Sequence, residues 1–342
     1  MTASSSLVSA VEPIATGEAI VAAAFLGRTP AFALADGHVL LAGHVLLAEI
    51  GEERKIKAHE DGAILVAASD GHRLVTGGDD GRVVATNASG ESETLADENG
   101  KWIDAVAARA DGAVAWTVGR VALARSPAGE VKSLDLPSAS RGLAFLPKGY
   151  RLAIAHYNGA TLWFPNAVAK PETLEWKGSH LDITASPDGR FIITSMQENM
   201  LHGWRIADGK HMRMAGYPGK TRSFSWSHDG KWLATSGADA CIIWPFQAKE
   251  GPMGQQPREC GVRPEVLVTR VAFHPNALVV ALGYADGMVM LCRITDGSEI
   301  LVRRPSENAN AGVMALAWDA QGGRLLFGAE NGEAGVLTLP KG

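Results

Sequence analysis

A tight turn followed by an apolar strand returns about every 42 residues along this 342-residue chain, a period that predicts an all-β fold: one β-propeller of eight four-stranded blades. The clearest copies are Asp70-Gly71-His72-Arg73-Leu74, Asp111-Gly112-Ala113-Val114, Lys148-Gly149-Tyr150-Arg151-Leu152, Asp188-Gly189-Arg190-Phe191 and Asp229-Gly230-Lys231-Trp232-Leu233. Weaker copies begin at Gly27, Ala277 and Gly322. The eight anchors, at 27, 71, 112, 149, 189, 230, 277 and 322, have the spacing of propeller blades rather than of a helical solenoid, and they run through residues 1–342 as a single domain. Seven blades, with one weak repeat absorbed as an insertion, is the alternative.

Residues 180–215 show the repeating unit strand by strand. A short strand from Leu181 to Ala185 is followed by the turn Ser186-Pro187-Asp188-Gly189, and a second strand runs from Arg190 to Met196. After a turn near Glu198-Asn199 a third strand ends on Trp204, and beyond Ala207-Asp208-Gly209 a fourth runs from Lys210 to Ala215. Each turn carries the Gly, Asn or Asp that positive φ or a side-chain-capped turn requires. First strands are rich in small residues, as in Ala22-Ala23-Ala24 and Ala107-Ala108, because the blades of a propeller converge on the channel that these strands line. Trp163, Trp204 and Trp244 fall on third strands, further out, where large rings fill the gaps between sheets. The last repeat supplies three strands only, so residues 7–14 are expected to close the ring as its fourth strand and to hide two sheet edges.

Composition limits the function. A net charge of −5 with 20% charged residues gives no global basic field for nucleic acid or an anionic membrane. The apolar stretches are of strand length, and Met1-Thr2-Ala3-Ser4-Ser5-Ser6 lacks the basic and apolar regions of a secretory signal. Cys241, Cys260 and Cys292 are odd in number and widely spaced, with no framework of pairs. A cytoplasmic location follows as the simplest expectation.

The repeats resemble those of WD40-repeat proteins, over essentially the whole chain. That family joins a His before the first strand, a Ser or Thr on the second, an Asp in the next turn and a Trp on the third in a hydrogen-bonded relay. His180, Ser195, Asn199 and Trp204 match it with Asn for Asp; His59, Thr76 and Asp80 match three of the four positions, with Ala85 where the Trp would stand. Thr235, Asp239 and Trp244 match without the His. The family's Trp-Asp pair at the end of the third strand is absent, replaced by Trp163-Phe164, Trp204-Arg205 and Trp244-Pro245, so the repeats are degenerate.

Candidate chemistry is sparse. His202 and His211 flank one hairpin, but a two-residue turn at Asp208-Gly209 would set their rings roughly 13 Å apart at ~3.3 Å per residue, too far to share a metal. Gly77-Gly78-Asp79-Asp80-Gly81 lies between strands and opens no helix, so it reads as a β-turn and not a phosphate loop. No nucleophile elbow or zinc-protease motif occurs. No catalytic residue, metal ligand or cofactor is therefore expected. What remains is the loop face at the channel mouth, where Trp102, Asp104, Arg141, Tyr157, Tyr217, Arg222, Arg270 and Tyr284 map; aromatics with Arg are the composition of interaction hot spots. The irregular stretch 247–263 is a second loop candidate, on the opposite face. The resemblance implies a non-enzymatic scaffold, a monomeric propeller within a complex, binding protein or peptide partners. A propeller hydrolase or lactonase, needing polar first-strand residues where Ala, Val, Ser and Leu mostly stand, and a metal-handling accessory protein are the alternatives.

Overall fold

The computed structural model describes residues 6–43 and 53–340. Its only helical element among these is the single 3-10 turn Val8–Ala10; the rest is strand and loop. Local chemistry explains the repeated turns. Gly71, Gly112, Gly149, Gly189 and Gly230 all sit at positive φ. The preceding carboxylates cap the turn: Asp70 accepts from the His72 amide (2.8 Å), Asp188 from Arg190 (2.9 Å) and Asp229 from Lys231 (3.1 Å).

The chain divides into two compact units, residues 1–57, 88–90 and 222–342, and residues 58–87 and 91–221. In the first, four antiparallel sheets form. Ile20–Leu26, Thr29–Leu34, His38–Leu41 and Arg54–Lys57 make one; Phe224–Trp226, Trp232–Thr235, Cys241–Pro245 and Arg258–Cys260 a second; Val268–Phe273, Val279–Tyr284, Val289–Arg293 and Ser298–Arg303 a third. The fourth takes Val313–Trp318, Arg324–Ala329 and Glu333–Thr338 and adds the N-terminal strand Val11–Ala15 as its edge, Val11 opposite Leu337 and Ala15 opposite Glu333. The N-terminus thus closes the last sheet, but the closing strand is 11–15 and not 7–14. Leu7 instead donates its amide to Leu301 on the edge of the third sheet (2.8 Å), and the 3-10 turn carries the chain from one sheet edge to the next.

The second unit holds three sheets. Ile64–Ser69, Arg73–Gly78, Arg82–Asn87 and Ser92–Asp97 form one and Ala105–Ala108, Val114–Val118, Val121–Arg125 and Val131–Asp135 another. The remaining sheet has six strands: Gly142–Phe145, Leu152–Trp163, Glu172–Ala185, Phe191–Met196, Leu201–Arg205 and His211–Met214.

The described residues therefore form seven sheets, which corrects the expectation of eight four-stranded blades. The repeats anchored at Gly149 and Gly189 are joined because Glu172–Ala185 runs unbroken where a loop was expected. Its first part pairs with residues 159–162 and its last part with Phe191–Met196, while Ser179 opposite Tyr157 keeps the intervening residues extended. Within Leu152–Trp163 the backbone doubles back at Asn158 and Gly159, both at positive φ, so that His156 Nε2 and Thr161 Oγ1 lie 2.9 Å apart.

Each core lies between neighbouring sheets. Leu152, Ile154 and Trp163 pack against Ala115, Ala122 and Ala124, and Trp204 packs with Ala153, Leu162 and Ile192. Trp163, Trp204 and Trp244 are buried.

Candidate partner-binding face

In the second unit, buried imidazoles pin loops to strands. His59, fully buried, places Nδ1 2.9 Å from the Asp80 carboxylate and Nε2 2.9 Å from the Thr76 hydroxyl. The two contacts tie the Asp80 turn to the strand that carries Thr76. His156 repeats the device, donating from Nδ1 to the Tyr157 carbonyl and meeting Thr161 at Nε2. His180 donates from Nε2 to the Trp176 carbonyl (2.9 Å) and meets the Thr194 hydroxyl at Nδ1 (2.7 Å). Its hydroxyl partner is thus Thr194, not Ser195, whose Oγ instead accepts from the Asp182 amide. Asn199 sits at positive φ and donates to the Pro218 carbonyl, away from His180, while the Trp204 ring lies 5.4 Å from the His180 ring. Burial lowers the His180 pKa, keeping the ring neutral.

The His202–His211 hairpin differs from the expected one. Residues 206–209 form its loop, Arg205 donating its amide to Lys210, and Trp204 lies opposite His211 and His202 opposite Arg213. That shift of register brings the two imidazoles to 5.4 Å, with Trp176 over His202 at 4.2 Å and over His211 at 4.6 Å. His202 is fully buried with neither ring nitrogen hydrogen-bonded. Burial above all, then His180, His211 and Arg213, lowers its pKa from 6.5 to about 3. Among the described residues no group of three or more His, Cys, Asp or Glu side chains is placed to hold a metal ion.

The predicted face residues separate into two groups. Trp102, 64% exposed, precedes a first strand, and Tyr157, 59% exposed, lies at the turn between second and third strands; Arg141 is exposed at the start of another first strand. Arg222 of the first unit is also exposed, its amide donating to Ser236. Four others are held by the fold. Asp104 accepts the Gly119 amide (2.6 Å), and Arg270 donates to the carbonyls of Met314 (2.7 Å) and Thr269 (2.9 Å). Tyr217 and Tyr284 are buried, which removes them from any presented surface. Tyr284 ends its strand with the ring turned into a core of Cys241, Cys260 and Met290, its hydroxyl donating to the Gly261 carbonyl (2.6 Å).

Two groupings lay outside the sequence reading. The His156–Thr161 pair had a signal, since residues flanking an Asn-Gly turn symmetrically face each other. The three cysteines had none: an irregular stretch separates the paired strands of Cys241 and Cys260, and Cys292 joins them from the adjacent sheet.

The profile of the family described as WD domain, G-beta repeat matches residues 213–244. That span crosses Phe224–Trp226 and Trp232–Thr235 and ends on Trp244 of a third strand. Residues 213–244 thus match a WD40 repeat, in line with the resemblance carried by the repeats. The WD repeat-containing protein 1-B of Xenopus laevis is similar over 76 residues at 33% identity, which is 21% of this chain and 12% of that protein. The match thus takes in a small part of the relative's length. The crystal structure of the computationally designed Ika8 protein superposes with a TM-score of 0.76 at 18% identity, covering 95% of this chain and 98% of that one, a likeness of fold alone.

Proposed function

We propose that this WD40 protein is a non-enzymatic cytoplasmic scaffold that binds a protein or peptide partner through the loops carrying Trp102, Tyr157 and Arg141. The observation that carries the reading is the exposure of both aromatic rings, 64% and 59%, on loops of the kinds that precede first strands and join second to third strands. Large exposed aromatics are expensive to leave in water and, beside Arg, anchor interfaces. WD40 propellers commonly bind proteins and are usually non-enzymatic, which supports the same reading.

The experiment is copurification from native lysate with the wild type and with a Trp102→Ala/Tyr157→Ala/Arg141→Glu variant of matched melting temperature. Loss of the wild-type partners, together with weakening of wild-type binding by salt, is the expected result. Recovery of the same partners by the variant rejects this face.

A further inference from the structure

Cys241 opens the strand Cys241–Pro245, Cys260 ends the edge strand Arg258–Cys260, and Cys292 lies on Val289–Arg293 of the adjacent sheet. All three are free, buried and in one apolar core. Cys241 and Cys260 are directly opposed across their antiparallel pair. Cys292 joins the pair in the same core. Opposed residues of antiparallel strands have Cα atoms ~4.5–5.5 Å apart, within the ~4.4–6.8 Å that a disulfide spans. The register therefore places the pair within disulfide reach.

Access is the limiting step. The neighbouring Cys241 thiol pushes the Cys260 thiol up, and Cys260 does the same to Cys292, so in the closed fold both stay protonated and inert. Cys260 is the least covered of the three, 7% exposed against 0% for the others. It also ends a strand of three residues at a sheet edge, after the irregular stretch that departs from the repeat. Short edge strands open locally at low free-energy cost.

We propose that Cys241 and Cys260 form a reversible thiol–disulfide site, oxidised by hydrogen peroxide when the Arg258–Cys260 strand opens. Cys260 loses its proton to solvent and its sulfur attacks one peroxide oxygen; the O–O bond breaks, the departing oxygen leaves as water, and a sulfenic acid remains. The Cys241 sulfur then displaces the hydroxyl from that sulfenic sulfur, forming the S–S bond and releasing a second water. In sum, two thiols are oxidised by two electrons and one peroxide is reduced to two waters. A dithiol reductant restores both thiols.

The test exposes the intact native protein to hydrogen peroxide, then quenches, denatures and alkylates it for mass spectrometry. Alkylatable thiols should fall from three to one, with a linked peptide joining Cys241 to Cys260, and dithiothreitol should restore all three. Cys292→Ala should still yield that linked peptide. Retention of three free thiols in the wild type after prolonged peroxide treatment, or a linkage through Cys292 in place of Cys241, overturns the proposal.

Discussion

The His59 relay can be tested by coupling it to the glycine that makes room for it. A Cβ added at Gly78 would lie 2.5 Å from His59 Nδ1 and 2.5 Å from the Asp80 carboxylate, too close for either to remain in place. Gly78→Ala should cost about 1–3 kcal/mol as overpacking. His59→Ala removes a hydrogen bond to a carboxylate, about 1.5–3 kcal/mol, and the contact with Thr76. Thr76 keeps the Val84 carbonyl (3.3 Å) and Asp80 keeps the Arg82 amide (3.0 Å), so neither is left wholly unpaired and the loss should be about 2–3 kcal/mol. Once the imidazole is gone, the added methyl enters vacated space. The double variant should then be more stable than the sum of the two single effects predicts, by about 1–2 kcal/mol. Urea unfolding at neutral pH, followed by tryptophan fluorescence on all four proteins of the cycle, measures that coupling. Additivity within ~0.5 kcal/mol would show that Gly78 and His59 do not compete for the same space.

Three further outcomes are expected. His180→Ala should lower stability by about 1–3 kcal/mol, because the Thr194 hydroxyl and the Trp176 carbonyl lose their buried partner; an unchanged urea midpoint would contradict this. His202 is neutral in both folded and unfolded states above its ordinary pKa of 6.5, whereas between 6.5 and about 3 only the unfolded chain takes up the proton. Its contribution therefore erodes stability as pH falls through that window, by up to about 1.4 kcal/mol per pH unit, and His202→Phe should flatten the slope measured between pH 6 and 4. Deleting residues 6–15 bares the Glu333–Thr338 edge with Ala334, Val336 and Leu337, and should lower the melting temperature far more than removing ten residues from the 247–257 stretch. Equal effects would mean that the N-terminal strand does not hold the last sheet.

What was legible in the sequence is what depends on neighbours in the chain. Turns such as Asp188-Gly189 announce themselves because a positive φ and a carboxylate two residues before an amide are local requirements, and Trp163, Trp204 and Trp244 followed from counting strands after those turns. The number of sheets did not follow, since the joining of two repeats depends on residues 176–179 staying extended beside Tyr157, a tertiary choice. For the same reason Tyr284 read as a face residue: its position at a strand end was right, but the inward turn of its ring is set by a core assembled from two sheets. The His202–His211 separation failed on turn length, where four loop residues in place of two moved the partners by two rungs. Trp102, Tyr157 and Arg141 stayed at the surface because nothing in their own loops covers them.

The pairing of Val11 with Leu337 also sets a timetable for synthesis. The Val11–Ala15 strand is translated long before its partner at Leu337, and at about 5–20 residues per second it must wait tens of seconds for it. Meanwhile its apolar side chains and open backbone edge are available to chaperones, to other nascent chains or to a second copy. Ribosome stalling just short of Glu333 should leave a population that stays proteolytically sensitive around Val11–Ala15, and emergence of the Glu333–Thr338 strand should end that sensitivity.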